Sequence, residues 1–168
     1  MSDPTATIDG KSYGEPIYKE GEAGSDLTPG ELLVQTGTNA AGEPIYDAVS
    51  TADKLDPQAQ FAKVPSTPPQ RDGTGTDPVD QTISAGTLVE VRVYRRGDTV
   101  KGALLAAGGD LGTAADADVS HGDTLGAASD GSLKATSAAG AGVAVASEAI
   151  DNSGAAAGDR ARIDVEVL

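Results

Sequence analysis

The alternation of Val89, Val91 and Val93 with Glu90, Arg92 and Tyr94 constrains this chain more than any other stretch. A period of two, with β-branched residues on a single side, is what a half-buried strand requires. After Arg96-Gly97-Asp98 an apolar run restarts from Thr99 to Ala106, and Gly97 offers the positive φ of a tight turn. Thr87 to Ala107 therefore reads as a hairpin-like unit. The end of the chain repeats the pattern, with Ala161, Ile163, Val165 and Val167 interleaved with Arg162, Asp164 and Glu166. Nothing between the two stretches has the spacing of a long helix, so the expected class is all-β.

The remaining segments extend that reading. Glu31–Thr36 and Glu43–Val49 form a hairpin candidate across a Gly- and Asn-containing connection. Asp123–Ser129 and Ser132–Thr136 form a second across Asp130-Gly131, a strong two-residue turn signal. Ala141–Ile150 is a strand candidate with small residues on both faces, suited to the inside of a sandwich or barrel. Thr51–Phe61 has room for one helical turn before Pro57 interferes, and Val64–Asp80, with four prolines, reads as loop. The expected architecture is a small Gly/Ala-rich β-sandwich or partly open barrel over 85–168. A hairpin-and-loop region over 29–84 and an extended N-terminal arm over 1–28 precede it.

The arm expectation rests on composition. Ser, Asp, Gly, Pro, Thr and Glu dominate the first 28 residues, and Ile8, Ile17 and Leu27 are too scattered to make a core face. Gly14-Glu15-Pro16-Ile17-Tyr18 recurs as Gly42-Glu43-Pro44-Ile45-Tyr46. Both copies read as a turn followed by a Pro-initiated extended segment. The second continues as a strand, and the first is a candidate to pair with a neighbouring chain. One Phe, no Trp and a preponderance of Ala and Val make a weak core, which favours an oligomer.

Charge narrows the function classes. The net charge is −14, with acids in excess over both halves of the chain. Such a surface repels nucleic-acid backbones and anionic membranes. Abundant Asp with few Lys suits a protein that works in high salt, where self-repulsion is screened. Five of the six arginines, Arg92, Arg95, Arg96, Arg160 and Arg162, sit on or beside the two strongest strands. They are candidates either for cross-strand pairs with Glu90, Asp164 and Glu166 or for a patch facing an acidic protein. There is no cysteine, and Met1–Gly10 lacks the basic and apolar regions of a secretory signal.

Catalytic and metal motifs are weak. Asp116-x-Asp118-x-Ser120-His121-Gly122-Asp123 is a faint calcium-loop pattern with its glycine one place late and Ala127 where a bidentate glutamate belongs. His121 is the single histidine, which removes histidine clusters. No nucleophile elbow or phosphate loop occurs, so no enzyme activity, cofactor or metal site is expected. Arg96-Gly97-Asp98 spells an integrin-type tripeptide that a turn explains equally well.

Arg95-Arg96-Gly97-Asp98-Thr99-Val100, Asp123-Thr124-Leu125, Asp130-Gly131-Ser132-Leu133, Gly142-Val143-Ala144 and the closing Arg162–Val167 strand together resemble the head decoration, or capsid cement, proteins of tailed viruses. The resemblance covers roughly residues 85–168 through short motifs. It implies a homotrimer on the outer capsid surface, with an N-terminal arm reaching over its partner, the major capsid protein, and no catalytic residues; the lack of a secretory signal leads us to expect synthesis in the host cytoplasm. Ile17, Tyr18, Arg95 and Arg96 are the capsid-contact candidates. The acidity fits a virus of haloarchaea. A surface-displayed binding module, such as a turret, fibre base or host-attachment domain, is the alternative.

Overall fold

The computed structural model describes residues 17–50, 59–65 and 77–168. Twelve strands occur among them: β1 Ile17–Ala23, β2 Leu33–Thr38, β3 Pro44–Ala48, β4 Ala59–Ala62, β5 Leu88–Tyr94, β6 Thr99–Leu105, β7 Asp118–Val119, β8 Thr124–Ala127, β9 Leu133–Ala135, β10 Ala144–Ala146, β11 Ile150–Asp151 and β12 Ala161–Val167. The fold is all-β, as the alternating patterns require.

The strands form two main units. The first is a five-stranded sheet in the order β2-β3-β1-β5-β4, and the second is a closed barrel, β10-β12-β6-β9-β8. In the sheet, β1 lies between β3, to which it is parallel, and β5, to which it is antiparallel. A bridge between Leu32 and Phe61 draws the sheet's two outer strands together. In the barrel every neighbouring pair is antiparallel except β6 and β9. Closure removes the open edge that a free sheet of this kind would expose.

The barrel interior explains the small-residue composition. Ile163, Val165 and Val167 point inward from β12 and meet Val100, Ala103, Leu105, Leu125, Ala144 and Ala146. Five strands enclose a narrow space, and Ala and Val fill it where larger side chains would overpack. Phe61 and Tyr94 belong to the same cluster and meet edge to face, with ring centroids 5.7 Å apart. These two aromatics carry the sheet onto the barrel. The other face of β5 supplies Val89 and Val91 to a second cluster with Ala23, Leu27, Tyr46 and Ala62.

Several sequence expectations are corrected. Residues 17–28 do not form an arm: β1 is the middle strand of the sheet and Leu27 is fully buried. The rest of the expected arm, 1–16, lies outside the described residues. Ile17 and Tyr18 pair with Val93 and Arg92 of the same chain, not with a neighbouring one. The physical cause is non-local, since β5 and β3 supply β1 with hydrogen bonds and the Tyr46 ring packs over Gly21, where a Cβ would come within 2.8 Å of it. Nor do β5 and β6 pair as a hairpin. After the turn at Arg95–Asp98 the chain leaves the sheet, and β6 pairs with β12 and β9 instead. The barrel is closed, not partly open, because β10 pairs with both β8 and β12. Ala59–Ala62, at the end of the segment assigned a helical turn, is a strand. The helical turn itself and most of the Val64–Asp80 loop fall outside the described residues. The β2–β3 and β8–β9 hairpins form as the turn signals indicate.

Candidate protein-contact surface

The four contact candidates come together at one end of the β1–β5 ladder. Ile17 opens β1 opposite Val93, Tyr18 stands opposite Arg92, and Arg95 and Arg96 follow directly on the end of β5. Tyr18 is 52% exposed. The Lys63 ammonium lies 5.6 Å from the centre of its ring and the Arg92 guanidinium 5.8 Å. Arg92 is itself buried and stacks 4.9 Å from the Tyr94 ring. The aromatic faces stabilise both cations. Sequence alone does not place Lys63 and Arg92 beside Tyr18, because their approach depends on β1 joining the sheet.

Arg95 and Arg96 project from a fixed turn. The Arg95 amide donates to the Asp98 carboxylate at 2.7 Å, and the Asp98 amide donates back to the Arg95 carbonyl at 2.9 Å. Gly97 takes φ +86°, where a side chain would be strained. The Gly97 amide also donates to the Val167 carbonyl at 2.8 Å, tying the turn to β12. Both arginines are exposed. Asp98 is fully buried, so the Arg-Gly-Asp tripeptide cannot offer its carboxylate to a receptor. Two exposed guanidinium groups on a rigid turn, beside an exposed tyrosine, have the charge and planar geometry that carboxylate pairing requires.

Arg160 and Arg162 do different work. Neither meets Glu90, Asp164 or Glu166; Arg160, just before β12, and Arg162, within it, both reach to the Thr28–Glu31 segment. Arg160 donates to Glu31 Oε1 at 2.6 Å and to Thr28 Oγ1 at 2.9 Å. Arg162 donates to the carbonyls of Pro29, Gly102 and Val79 and pairs with Asp80 at 2.9 Å. Gly30 makes this approach possible: it has φ +95°, and a Cβ there would lie 2.8 Å from Arg162 Nη1. Burial pushes the Glu31 carboxyl above its ordinary pKa, and the Arg160 hydrogen bond offsets this only in part. The two arginines clasp the sheet to the barrel.

The faint calcium loop is committed elsewhere. Asp116 pairs with Lys134 at 3.4 Å, and Asp123 accepts the Ser120 amide at 2.8 Å. Among the described residues no three His, Cys, Asp or Glu side chains are grouped to hold a metal ion. Nor is any helix there long and apolar enough to cross a membrane.

A five-stranded sheet fused to a small closed barrel, with a cationic aromatic rim at one end of the β1–β5 ladder, defines an all-β protein. No protein-family model matches the sequence, and no curated protein matches it significantly. The fold is similar to the crystal structure of the head fibre gp8.5 N base of bacteriophage phi29, with a TM-score of 0.54 at 14% identity. The alignment covers 92% of this chain and 98% of that one. The likeness is one of fold.

Proposed function

We propose that this chain is a structural protein of a virus head. The observation that carries the reading is the likeness to a phage head fibre base across nearly the whole chain. The decoration-protein motifs of residues 95–167 support it independently of the fold. In the finer form, the protein is a homotrimeric cement component on the outer capsid surface, bound to the major capsid protein, and its acidity suits a virus of a halophilic host. Ile17, Tyr18, Arg95 and Arg96 are its contact residues within the head assembly. Since residues 17–28 belong to the folded sheet, attachment through them uses a formed surface and not a segment that orders on docking.

Cosedimentation of the purified full-length chain with undecorated shells tests this. Saturable binding at a fixed number of sites per shell is expected, and protein left wholly in the supernatant overturns it. The likeness to a fibre base also favours a second reading, a vertex or fibre-base appendage. Copy number separates the two: hundreds per particle indicate cement, and a few tens indicate an appendage.

A further inference from the structure

The sheet face that carries Tyr18 changes sign along its length. Tyr18, Glu20 and Glu22 of β1 stand opposite Arg92, Glu90 and Leu88 of β5. Alternation sets all six on one side of the ladder. The end nearest Arg95 and Arg96 is cationic, and the far end is anionic and apolar. There Glu20, Glu22 and Glu43 line a hollow of about 450 Å³. Beyond Leu88 a second hollow of about 520 Å³ is walled by Pro65, Pro78 and Ile83 and holds Glu20 and Glu90. Glu20, Thr87 and Leu88 border both, so the two make one groove with Leu88, 62% exposed, on its central ridge. No lysine or arginine among the described residues lines either hollow.

Such a groove fits an occupant that brings positive charge and an apolar surface together. Glu20 and Glu90 are direct cross-strand neighbours, which concentrates acidic side chains beside the groove. We infer that the occupant is the cationic rim of a second copy, with the Arg95–Arg96 turn set among Glu20, Glu22 and Glu43 and the Tyr18 edge against Leu88. The turn is already held by Asp98 and by β12, so seating it orders little new backbone. Tyr18 and Glu22 lie four residues apart on one face of β1, roughly 13 Å, and the Arg95–Arg96 turn is fixed at the cationic end, so a molecule cannot seat its own turn in its own groove. The contact is therefore between copies and is head to tail; in the homotrimer reading three such contacts close a ring. This inference rests on the homotrimer reading above and supplies its interface.

Sedimentation velocity on the full-length chain in about 0.1 M salt tests it, because surface charges are little screened there. The wild type should sediment as an oligomer. Arg95→Glu with Arg96→Glu should weaken association at least about tenfold, and so should Glu20→Lys with Glu43→Lys. Combining all four substitutions exchanges the charges and should restore association to near the wild-type level. Leu88→Gln should weaken it at low and high salt alike. Every substituted residue is exposed, and an unchanged melting curve verifies the fold of each variant. A monomeric wild type, a one-sided variant that associates normally, or a fourfold variant that stays dissociated overturns the interface. Shell cosedimentation separates the two readings: a monomer that binds shells refutes this contact alone, and an oligomer that ignores shells refutes the head assignment alone.

Discussion

Replacing Arg160 with methionine tests the clasp between sheet and barrel most directly. The substitution keeps an apolar stem of similar length and removes the cation 2.6 Å from Glu31 Oε1. The Glu31 side chain is 5% exposed, and its Oε2 has no hydrogen-bond partner among the described residues. Stripping the partner from a buried ion pair costs about 3–5 kcal/mol when the remaining charge stays ionised. Glu31 can escape part of that cost by taking up a proton, so about 2–4 kcal/mol is expected at neutral pH. At roughly 2–4 °C per kcal/mol for a chain of this length, the melting temperature should fall by about 5–15 °C. The pH trend carries the sign. A carboxyl whose folded pKa is raised binds protons better in the folded state, so its contribution is fully present below its unfolded pKa and is lost as pH rises through the folded value. Loss of Arg160 raises that folded value further, so the deficit of Arg160→Met should shrink on acidification. Adding Glu31→Gln should recover most of it at neutral pH. Thermal melts followed by circular dichroism at about pH 5 and pH 8 read both effects. A variant that melts with the wild type at pH 8, or whose deficit grows on acidification, refutes the reasoning.

Val91 is fully buried in the sheet core, so Val91→Asp should cost about 3 kcal/mol or more by burying an unpaired carboxylate. An unchanged urea midpoint would contradict its packing. Deleting residues 1–28 removes β1 from the middle of the sheet and should abolish cooperative unfolding of that half; a truncated chain that keeps the wild-type melting curve would contradict the placement. Fourteen net negative charges should make the melting temperature rise between about 0.1 M and multi-molar KCl, and equal values would count against a high-salt origin.

Features written in local pattern were legible in the sequence. The alternation at Ile163, Val165 and Val167 gives β12, and Asp130-Gly131 marks the β8–β9 turn. Features set by distant partners were not. The β1 sequence, Ile-Tyr-Lys-Glu-Gly-Glu-Ala, has no sustained alternation and is held by β5, far along the chain, and by a parallel neighbour. β6 is apolar enough to pair with β5, and the intervening turn residues suit a hairpin. The Gly97 amide bonds to β12 instead, and that directs β6 into the barrel. The contact candidates Tyr18, Arg95 and Arg96 were visible as residue types, but Lys63 and Arg92 became neighbours of Tyr18 only through the sheet register.

The clasp also orders events during synthesis. Thr28, Pro29 and Glu31 leave the ribosome long before Arg160 and Arg162, which hold them in place. β12 likewise supplies two of the five seams of the barrel. A nascent chain stopped short of β12 has an open barrel, a loop at Leu27–Glu31 without its fastening, and Glu31 without its cation. Closure of the barrel and fastening of the Leu27–Glu31 loop therefore wait for β12, and chains stopped short of it remain open to proteolysis.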